Sequence, residues 1–321
     1  MESALLEIKD LKVTFPTDNK RTIRAIDGVN LTLNKGEILG IVGESGSGKS
    51  ITSLSVMGLI SENGTVEGEI NFNNVNLLTK SETEMRKVRG AQIAMIFQDP
   101  MTSLNPVYTI GNQISEAILL HQNVSKAEAI NRTISLLRLV GIPSPEERIH
   151  EYPHKFSGGM RQRAMIAMAL ACEPDVLIAD EPTTALDVTI QAQILDLLKD
   201  VQQKMGMSVI MITHDLGVVA ETCHRVAVMY AGHIVEEADV VTLFKNPRHP
   251  YTKGLLASLP RLGSTHRLTP IQGQPPQMST EIRGCRFASR CPFVSEKCVQ
   301  QDQILQSVGN GHLVRCHKEV G

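Results

Sequence analysis

The stretch that decides the fold is Gly43-Glu44-Ser45-Gly46-Ser47-Gly48-Lys49-Ser50, which follows the apolar residues 38–42 and precedes a helical pattern over residues 51–60. A glycine-rich turn ending in Lys-Ser, between a buried strand and a helix, is typical of a phosphate-binding loop. Its N–H groups and the helix end attract anions. Lys49 supplies charge for the β- and γ-phosphates, and the Ser50 hydroxyl suits Mg²⁺. The alternative is a turn that binds nothing.

The composition indicates a globular chain without a nucleic-acid partner. With 321 residues and 42% hydrophobic content, it can form one large domain or two modest ones. Lys and Arg total 32 against 34 acids, so no basic excess favours nucleic acid. Trp is absent and aromatic residues make up 3%, which disfavours surfaces that stack bases.

No segment has the pattern of a membrane span or a signal peptide. The longest apolar stretch, residues 164–172, is far shorter than the roughly 20 residues that cross a bilayer. Residues 1–7 lack a basic start and a long apolar core. We therefore expect a cytoplasmic protein that reaches a membrane only through a partner.

Residues 6–33 alternate in polarity and predict antiparallel strands interrupted at residues 16–19. Phe15 lies just before this turn. An aromatic side chain on a strand is usually part of the core, and stacking on an adenine ring is the alternative.

Two carboxylates follow the apolar residues 176–179, at Asp180 and Glu181. ATPases with a phosphate-binding loop use such a pair beside the phosphates. Asp180 would hold hydrated Mg²⁺, and Glu181 would orient and deprotonate water. The alternative is that the two acids cap the following helix.

Single polar residues end two further apolar strands, Gln98 after residues 93–97 and His214 after residues 209–213. Carboxyl ends of parallel strands face the ligand crevice of an α/β sheet. Gln98 is a candidate for contacting Mg²⁺ or the attacking water, and His214 for contacting the γ-phosphate and the water. Each residue alone would more often be structural.

Residues 101–142 have a helical pattern and indicate a helical insertion. Beyond it, Ser157-Gly158-Gly159 precedes another helical pattern. Ser157 suits an N-cap, and the glycines leave the helix end uncovered by side chains. We expect a second anion site here, with a simple helix cap as the alternative.

These motifs resemble, in order and spacing over residues 5–245, the ATP-binding cassette family. They correspond to Walker A, the Q-loop, the signature, Walker B, the D-loop (Ala185-Leu186-Asp187) and the H-loop. The one departure is Met160, where most signatures have Gln. The resemblance implies an ATPase with Mg²⁺ bound by Ser50, Gln98 and Asp180. It also implies ATP bound by Phe15 and by the loop residues Gly43, Glu44, Ser45, Gly46, Ser47, Gly48, Lys49, Ser50 and Ile51.

Three longer segments, residues 98–106, 180–193 and 248–252, resemble the ATPase subunits of dipeptide and oligopeptide importers, a branch shared with nickel importers. The implied fold is an α/β P-loop NTPase (RecA-like) core with an antiparallel β subdomain, in residues 1–100 and 166–245. A helical subdomain in residues 101–165 and a cysteine-containing extension in residues 246–321 complete it.

The resemblance also implies partners. Two cassettes sandwich two ATP molecules, so Ser157, Gly158, Gly159 and Asp187 would contact the ATP of a second ATPase subunit, identical or related. Two transmembrane permease subunits and an external substrate-binding protein would complete the importer. The chain would lie peripherally on the cytoplasmic face of the cell membrane.

Four cysteines are grouped near the carboxyl end, at Cys285, Cys291, Cys298 and Cys316, whereas Cys172 and Cys223 lie in the cassette. A reduced compartment disfavours disulfides, and no gap has the two to four residues typical of zinc pairs. Four thiolates could hold a [4Fe–4S] cluster, although the spacing matches neither ferredoxin pattern. The importer resemblance favours this cluster, with Zn²⁺ or unliganded thiols as alternatives.

Two other functions are compatible with a cassette ATPase. A soluble enzyme of DNA repair would carry a coiled coil or a basic face, and the sequence shows neither sustained heptads nor basic excess. A nucleotide-binding regulator without turnover would not need Glu181 and His214.

Overall fold

The computed structural model describes residues 4–16, 22–99, 103–184, 186–259, 270–276 and 282–318. Its strands are β1 Leu6–Pro16, β2 Thr22–Leu33, β3 Ile38–Val42, β4 Thr65–Phe72, β5 Val75–Asn76, β6 Ile93–Ile96, β7 Val176–Asp180, β8 Ser208–Thr213, β9 Arg225–Tyr230, β10 His233–Asp239, β11 Gln306–Gly309 and β12 His312–Val314. Its α-helices are α1 Lys49–Val56, α2 Glu82–Val88, α3 Ile110–His121, α4 Lys126–Leu139, α5 Pro145–Arg148, α6 Gly158–Ala169, α7 Val188–Met205, α8 Leu216–Thr222, α9 Val240–Lys245, α10 Pro250–Ala257 and α11 Glu296–Gln300. Short 3₁₀ turns occur at Leu77–Thr79, Pro153–Lys155 and Ala288–Arg290.

The chain divides into two compact units. The first, called the loop unit, comprises Met1–Asn34, Ile38–Leu78 and Thr213–Gly321. The second, called the carboxylate unit, comprises Lys35–Glu37 and Thr79–Ile212. The predicted domain boundaries at residues 100, 165 and 245 remain predictions.

An antiparallel sheet in the loop unit has the strand order β2-β1-β4-β5. In β1 and β2, alternate apolar side chains are buried, as the alternating sequence predicts. The register pairs Leu6 with Leu33 and Phe15 with Ile23. The predicted antiparallel β subdomain is therefore confirmed. The predicted interruption falls largely on residues 17–19, outside the described residues.

A second set of strands in the loop unit surrounds β3. Strand β9 pairs with β3 in parallel, and β10 pairs with β9 antiparallel. The carboxyl-terminal extension adds β12 to β10 and β11 to β12. A core cluster that includes Tyr230, Tyr251 and Phe287 joins this extension to the strands. The extension therefore packs on the cassette rather than forming a separate core.

The carboxylate unit contains the parallel strands β6, β7 and β8, in which β7 pairs with both neighbours. These strands are completely buried and consist of continuous apolar runs, which is typical of a parallel sheet covered on both faces. Their carboxyl ends therefore lie at the same edge, as the sequence predicts.

The predicted helical region over residues 101–142 contains two helices, α3 and α4. The chain is extended at Gln122, and a new helix begins because the Ser125 hydroxyl accepts the Glu128 N–H group. Helix α2 starts at a capping box on Ser81 and ends where Arg89 returns to extended backbone. Sequence reasoning did not predict β11 and β12.

None of the described helices combines the length and apolar character needed to cross a bilayer.

Candidate functional site

The glycine-rich loop leaves β3 and enters α1 in a conformation that only glycine tolerates at two points. A Cβ atom at Gly43 would lie 2.1 Å from the Met229 carbonyl oxygen. Gly48, the N-cap of α1, has φ 106°, and a Cβ atom there would lie 2.6 Å from Ile26 Cδ1. The neighbouring β9 strand and β2 therefore enforce glycine at both positions.

Lys49 is buried within this loop. Its Nζ donates hydrogen bonds to the carbonyl oxygens of Gly43 at 2.8 Å and Glu44 at 3.1 Å. The turn between β9 and β10 supports the loop, since the Gly232 N–H donates to the Ser47 carbonyl at 2.8 Å. A lysine ammonium enclosed by a glycine-rich loop at a helix N-terminus is suited to polyphosphate. Ser50 follows Lys49 on the first turn of α1 and is half-buried.

The predicted carboxylates lie at the end of β7 in the carboxylate unit. Asp180 is buried, and Glu181 is half-buried. Glu181 has φ 48°, a left-handed conformation uncommon for this residue and frequent at functional sites. Gln98 Nε2 donates to Glu181 Oε2 at 3.0 Å, and Thr184 Oγ1 donates to the same atom at 2.8 Å. The structure thus brings together Gln98 and Glu181, and it adds Thr184, which sequence reasoning missed.

The predicted cap at Ser157 is confirmed. Its hydroxyl accepts the Met160 N–H at 3.3 Å at the start of α6. A Cβ atom at Gly158 would meet nothing within 4 Å, whereas one at Gly159 would meet Ile190. The end of α6 is consequently exposed beside Gly158, which suits the approach of an anion.

Asp187 also serves as a cap, because its Oδ1 accepts the Ile190 N–H at 3.0 Å at the start of α7. Ala185, two residues before it, lies outside the described residues. The Asp187 side chain is exposed beyond this contact.

Two further predicted residues, Phe15 and His214, belong to the loop unit. Phe15 is half-buried at the end of β1, and its ring edge packs against Gly64. His214 is exposed and directly follows β8. The nucleotide contacts of both residues remain predictions.

The extension contributes residues to the loop that sequence reasoning missed. The Glu44 N–H donates to Tyr251 Oη at 2.9 Å, and Arg290 forms an ion pair with the Glu44 carboxylate at 2.7 Å. The segment that carries Tyr251 has a local signal: His249 accepts the Tyr251 N–H as N-cap, and Pro250 occupies the first turn of α10. That signal predicts a helix start and gives no indication of the partner.

All four late cysteines line one small cavity of about 10 Å³, together with His249, Phe287, Phe293 and His317. Burial raises the pKa of Cys285 to about 11 and also raises the pKa of Cys291 and Cys316. Hydrogen bonds from backbone N–H groups lower the pKa of the same thiols. The donors are Phe287 for Cys285, Phe293 for Cys291 and Lys318 for Cys316. The Ser295 N–H donates to Cys298 Sγ at 3.4 Å.

Within the residues that the structure describes, no three His, Cys, Asp or Glu side chains are arranged to hold a metal ion. The arrangement itself therefore supports neither the predicted [4Fe–4S] cluster nor its Zn²⁺ alternative. Within the described part of the chain, no disulfide joins the cysteines.

Comparison with known families matches two parts of the chain. The family described as ABC transporter matches residues 26–184. The family described as oligopeptide/dipeptide transporter, C-terminal region, matches residues 235–298. The second match covers most of the extension, including Tyr251, Arg290 and three of the four late cysteines.

Relatives match over nearly the whole chain. A probable peptide ABC transporter ATP-binding protein of Sinorhizobium fredii is 55% identical, over 97% of this chain and 94% of its own length. The dipeptide transport ATP-binding protein DppD is 54% identical in Bacillus subtilis, over 97% and 94% of the two chains. In Escherichia coli it is 50% identical, over 98% and 96%.

Solved structures show the same fold. The ATP-binding cassette MJ0796, in a dimeric post-hydrolysis state with ADP and Pi, has a TM-score of 0.66 and 29% identity, over 73% of this chain and 98% of its own. Protein cbiO1 of Clostridium perfringens, part of the ABC transporter complex cbiONQ, has a TM-score of 0.65 and 28% identity, over 76% and 92%. This chain belongs to the ATP-hydrolysing, ATP-binding proteins of ABC transporters, in the family with the oligopeptide/dipeptide transporter C-terminal region.

Proposed function

We propose that this chain hydrolyses ATP to power the import of dipeptides or oligopeptides through a membrane transporter. The observation that carries the proposal is the joining of a cassette to the C-terminal region of peptide transporters in one chain. The printed functions of the relatives, dipeptide and oligopeptide transport, support the same substrate class. The nickel-import alternative is not favoured, because these relatives and the matching C-terminal family are described by peptide transport.

We assign ATP binding to residues of the loop unit. Lys49 and the N–H groups of Gly43–Ile51 would bind the phosphates, and Phe15 would stack on the adenine ring. Two observations support this assignment: Lys49 is buried, and neighbouring atoms leave no room for a Cβ atom at Gly43 or Gly48. His214 would donate to the γ-phosphate.

The remaining catalytic roles fall to the carboxylate unit. Glu181 would accept a proton from the attacking water, and its carboxylate is oriented by Gln98 and Thr184. Asp180, Gln98 and Ser50 would hold Mg²⁺. Their carboxylate, amide and hydroxyl oxygens are ligands that suit this ion. When bound, Mg²⁺ would neutralise charge on the phosphates.

We further propose that the chain works beside a second ATPase subunit. Ser157, Gly158, Gly159 and Asp187 would contact the partner's ATP, a role supported by the exposed start of α6. Two permease subunits would form the membrane path and an external binding protein would deliver substrate, so the chain would act at the cytoplasmic face.

The four-cysteine pocket is proposed to hold a [4Fe–4S] cluster through Cys285, Cys291, Cys298 and Cys316. The proposal rests on the resemblance to importer ATPases, because the side chains of the described residues do not by themselves form a metal site. The four cysteines do line one cavity, and a backbone N–H group bonds to each of them. Such N–H groups stabilise thiolates and the sulfurs of clusters.

The transport proposal is tested by reconstituting this chain with the proteins encoded beside it in proteoliposomes and measuring ATP hydrolysis. We expect dipeptide or oligopeptide, presented with the binding protein, to stimulate hydrolysis several-fold. Stimulation by nickel alone would transfer the chain to the metal-importing class. Hydrolysis that responds to neither substrate would reject both importers.

The cluster is tested separately on protein purified without oxygen. We expect a broad absorbance in the visible range and about four irons per chain, as a [4Fe–4S] cluster requires. Zinc without iron would overturn the assignment, as would protein that carries neither metal.

A further inference from the structure

Arg290, one residue before Cys291, contacts the phosphate-binding loop directly. Its Nη1 donates to Glu44 Oε2 at 2.7 Å and its Nη2 donates to Glu44 Oε1 at 3.1 Å. The two bonds are parallel, which is the strongest arrangement between a guanidinium and a carboxylate. The Arg290 side chain is 5% exposed and that of Glu44 26% exposed, so solvent screens the pair only in part.

The extension and β9 fix the Arg290 guanidinium in place. Its Nε donates to the Gln272 carbonyl at 3.0 Å, its Nη2 to the Ile271 carbonyl at 3.3 Å and its Nη1 to Tyr230 Oη at 3.3 Å. The Glu44 hydrogen bonds are the main cause that raises the pKa of Arg290, so the side chain stays charged. A rigid, permanent cation therefore faces the loop.

Tyr251 holds the backbone of the same loop residue. Its Oη accepts the Glu44 N–H at 2.9 Å, and burial raises the pKa of this phenol, which stays neutral. The Tyr251 ring packs against Tyr230, with ring centres 4.6 Å apart, and against Phe287 of the extension at 5.4 Å. The side chain and the backbone of Glu44 are thus both held by residues outside the loop.

A carboxylate at this position poses an electrostatic problem. The loop binds polyphosphate by presenting N–H groups and the Lys49 ammonium, whereas Glu44 places a negative charge within the same loop. Like charges separated by several ångströms repel appreciably in a site that is partly shielded from water. A neutralising cation beside Glu44 removes this penalty.

We propose that Arg290 is a positioning residue for ATP binding: it neutralises Glu44 and holds the loop in its binding shape. The inference rests on the proposed role of the loop in ATP binding. It makes the extension part of the nucleotide site, because the segment that carries the cysteines also supplies the cation.

The test measures the dissociation constant of ATP, without hydrolysis, for the full-length chain and its variants. We expect Arg290→Ala to raise the Kd about tenfold, and less at high salt, where the repulsion is screened. Lys297→Ala is the matched control, since it removes an exposed positive charge from the same extension and should leave the Kd unchanged.

The double variant Glu44→Gln/Arg290→Ala separates charge from packing. If Arg290 acts by neutralising Glu44, removal of the carboxylate recovers most of the lost affinity. A double variant that binds as weakly as Arg290→Ala would overturn the proposal, as would Arg290→Ala with the affinity of the parent.

Two further variants keep the outcome decisive. If Arg290→Ala does not fold, Glu44→Gln alone tests the same charge from the loop, and we expect it to tighten ATP binding; weaker binding would overturn the inference. Lys49→Ala tests the loop itself. Loss of binding in Lys49→Ala with none in Arg290→Ala rejects only this inference, whereas unchanged binding in Lys49→Ala rejects the proposed ATP site.

Discussion

Gln98 donates a hydrogen bond of 3.0 Å to the Glu181 carboxylate, from the end of β6 to the end of β7. Thr184 donates to the same oxygen, and the backbone of Glu181 is held by its N–H bond to the Ile212 carbonyl at 2.9 Å. Neither side-chain donor is charged. The proposed base is therefore oriented without an ion pair from these two residues.

The first prediction concerns this orientation. Gln98→Ala should lower kcat between about tenfold and 100-fold, because a displaced catalytic group costs rate even when substrate binds. Thr184→Ala should also lower kcat, because it removes the second donor to the Glu181 carboxylate. Steady-state hydrolysis by the reconstituted transporter measures it, and a kcat equal to that of the parent in both variants would remove the orienting role.

The second prediction concerns the exposed start of α6. Asp and Asn both replace Ser as N-caps with little loss of helix stability, but only Asp adds negative charge. We expect Ser157→Asp to abolish ATP-dependent pairing of the cassettes and Ser157→Asn to retain it. Sedimentation velocity measures the fraction of paired cassettes for each variant, in the presence of Mg-ATP and the partner ATPase and with hydrolysis blocked. Equal pairing of the two variants would exclude contact between Ser157 and the partner's phosphates.

The third prediction concerns the four-cysteine pocket. Cys285→Ser should lose bound iron, whereas Cys172→Ser should keep it because Cys172 lies outside the pocket. Iron content per chain is the measurement. Iron loading should also fall with decreasing pH, since burial raises the pKa of Cys285 to about 11 and ligation must displace that proton. Equal iron in both variants would place the metal elsewhere.

The fourth prediction concerns the pH dependence of stability. Burial lowers the pKa of His249 to about 3, with Arg315 acting in the same direction. The neutral His249 ring accepts the backbone N–H of Tyr251 at Nδ1. The backbone N–H of His249 donates to the buried Glu236 carboxylate at 2.9 Å.

The unfolded chain has the ordinary His pKa of about 6.5 and takes up the proton first as the pH falls. The contribution of neutral His249 to the free energy of unfolding is therefore complete above about pH 7 and is lost progressively towards pH 3, by at most about 5 kcal/mol. Urea unfolding at pH 7 and pH 5 measures the decline. His249→Asn keeps an N-cap acceptor but cannot titrate, so its free energy of unfolding should fall less between pH 7 and pH 5. An equal fall in the variant and the parent would show that other groups cause the pH dependence.

Sequence reasoning predicts the parts of this protein that depend on local pattern. Continuous apolar runs predict the buried strands that precede Gln98, Glu181 and His214, and Ser157 is a helix cap as its neighbours predict. Gln98 and Glu181 could be placed together because the parallel strands β6 and β7 end at one edge of the sheet.

The contacts that the sequence did not reveal join residues far apart in the chain. Arg290 and Glu44 are 246 positions apart, and neither has a local pattern that indicates a partner. The Tyr251 contact with the same loop residue depends on how α10 packs on β9 through Tyr230. Tertiary packing decides such contacts, so the role of the extension at the loop emerges only from the structure.

ATP hydrolysis by the reconstituted transporter that carries Glu181→Gln tests the central claim most directly. We predict that this variant still binds ATP and that its turnover falls at least about 100-fold, since the amide cannot accept the proton of the attacking water. Hydrolysis by Glu181→Gln at the rate of the parent would contradict the account.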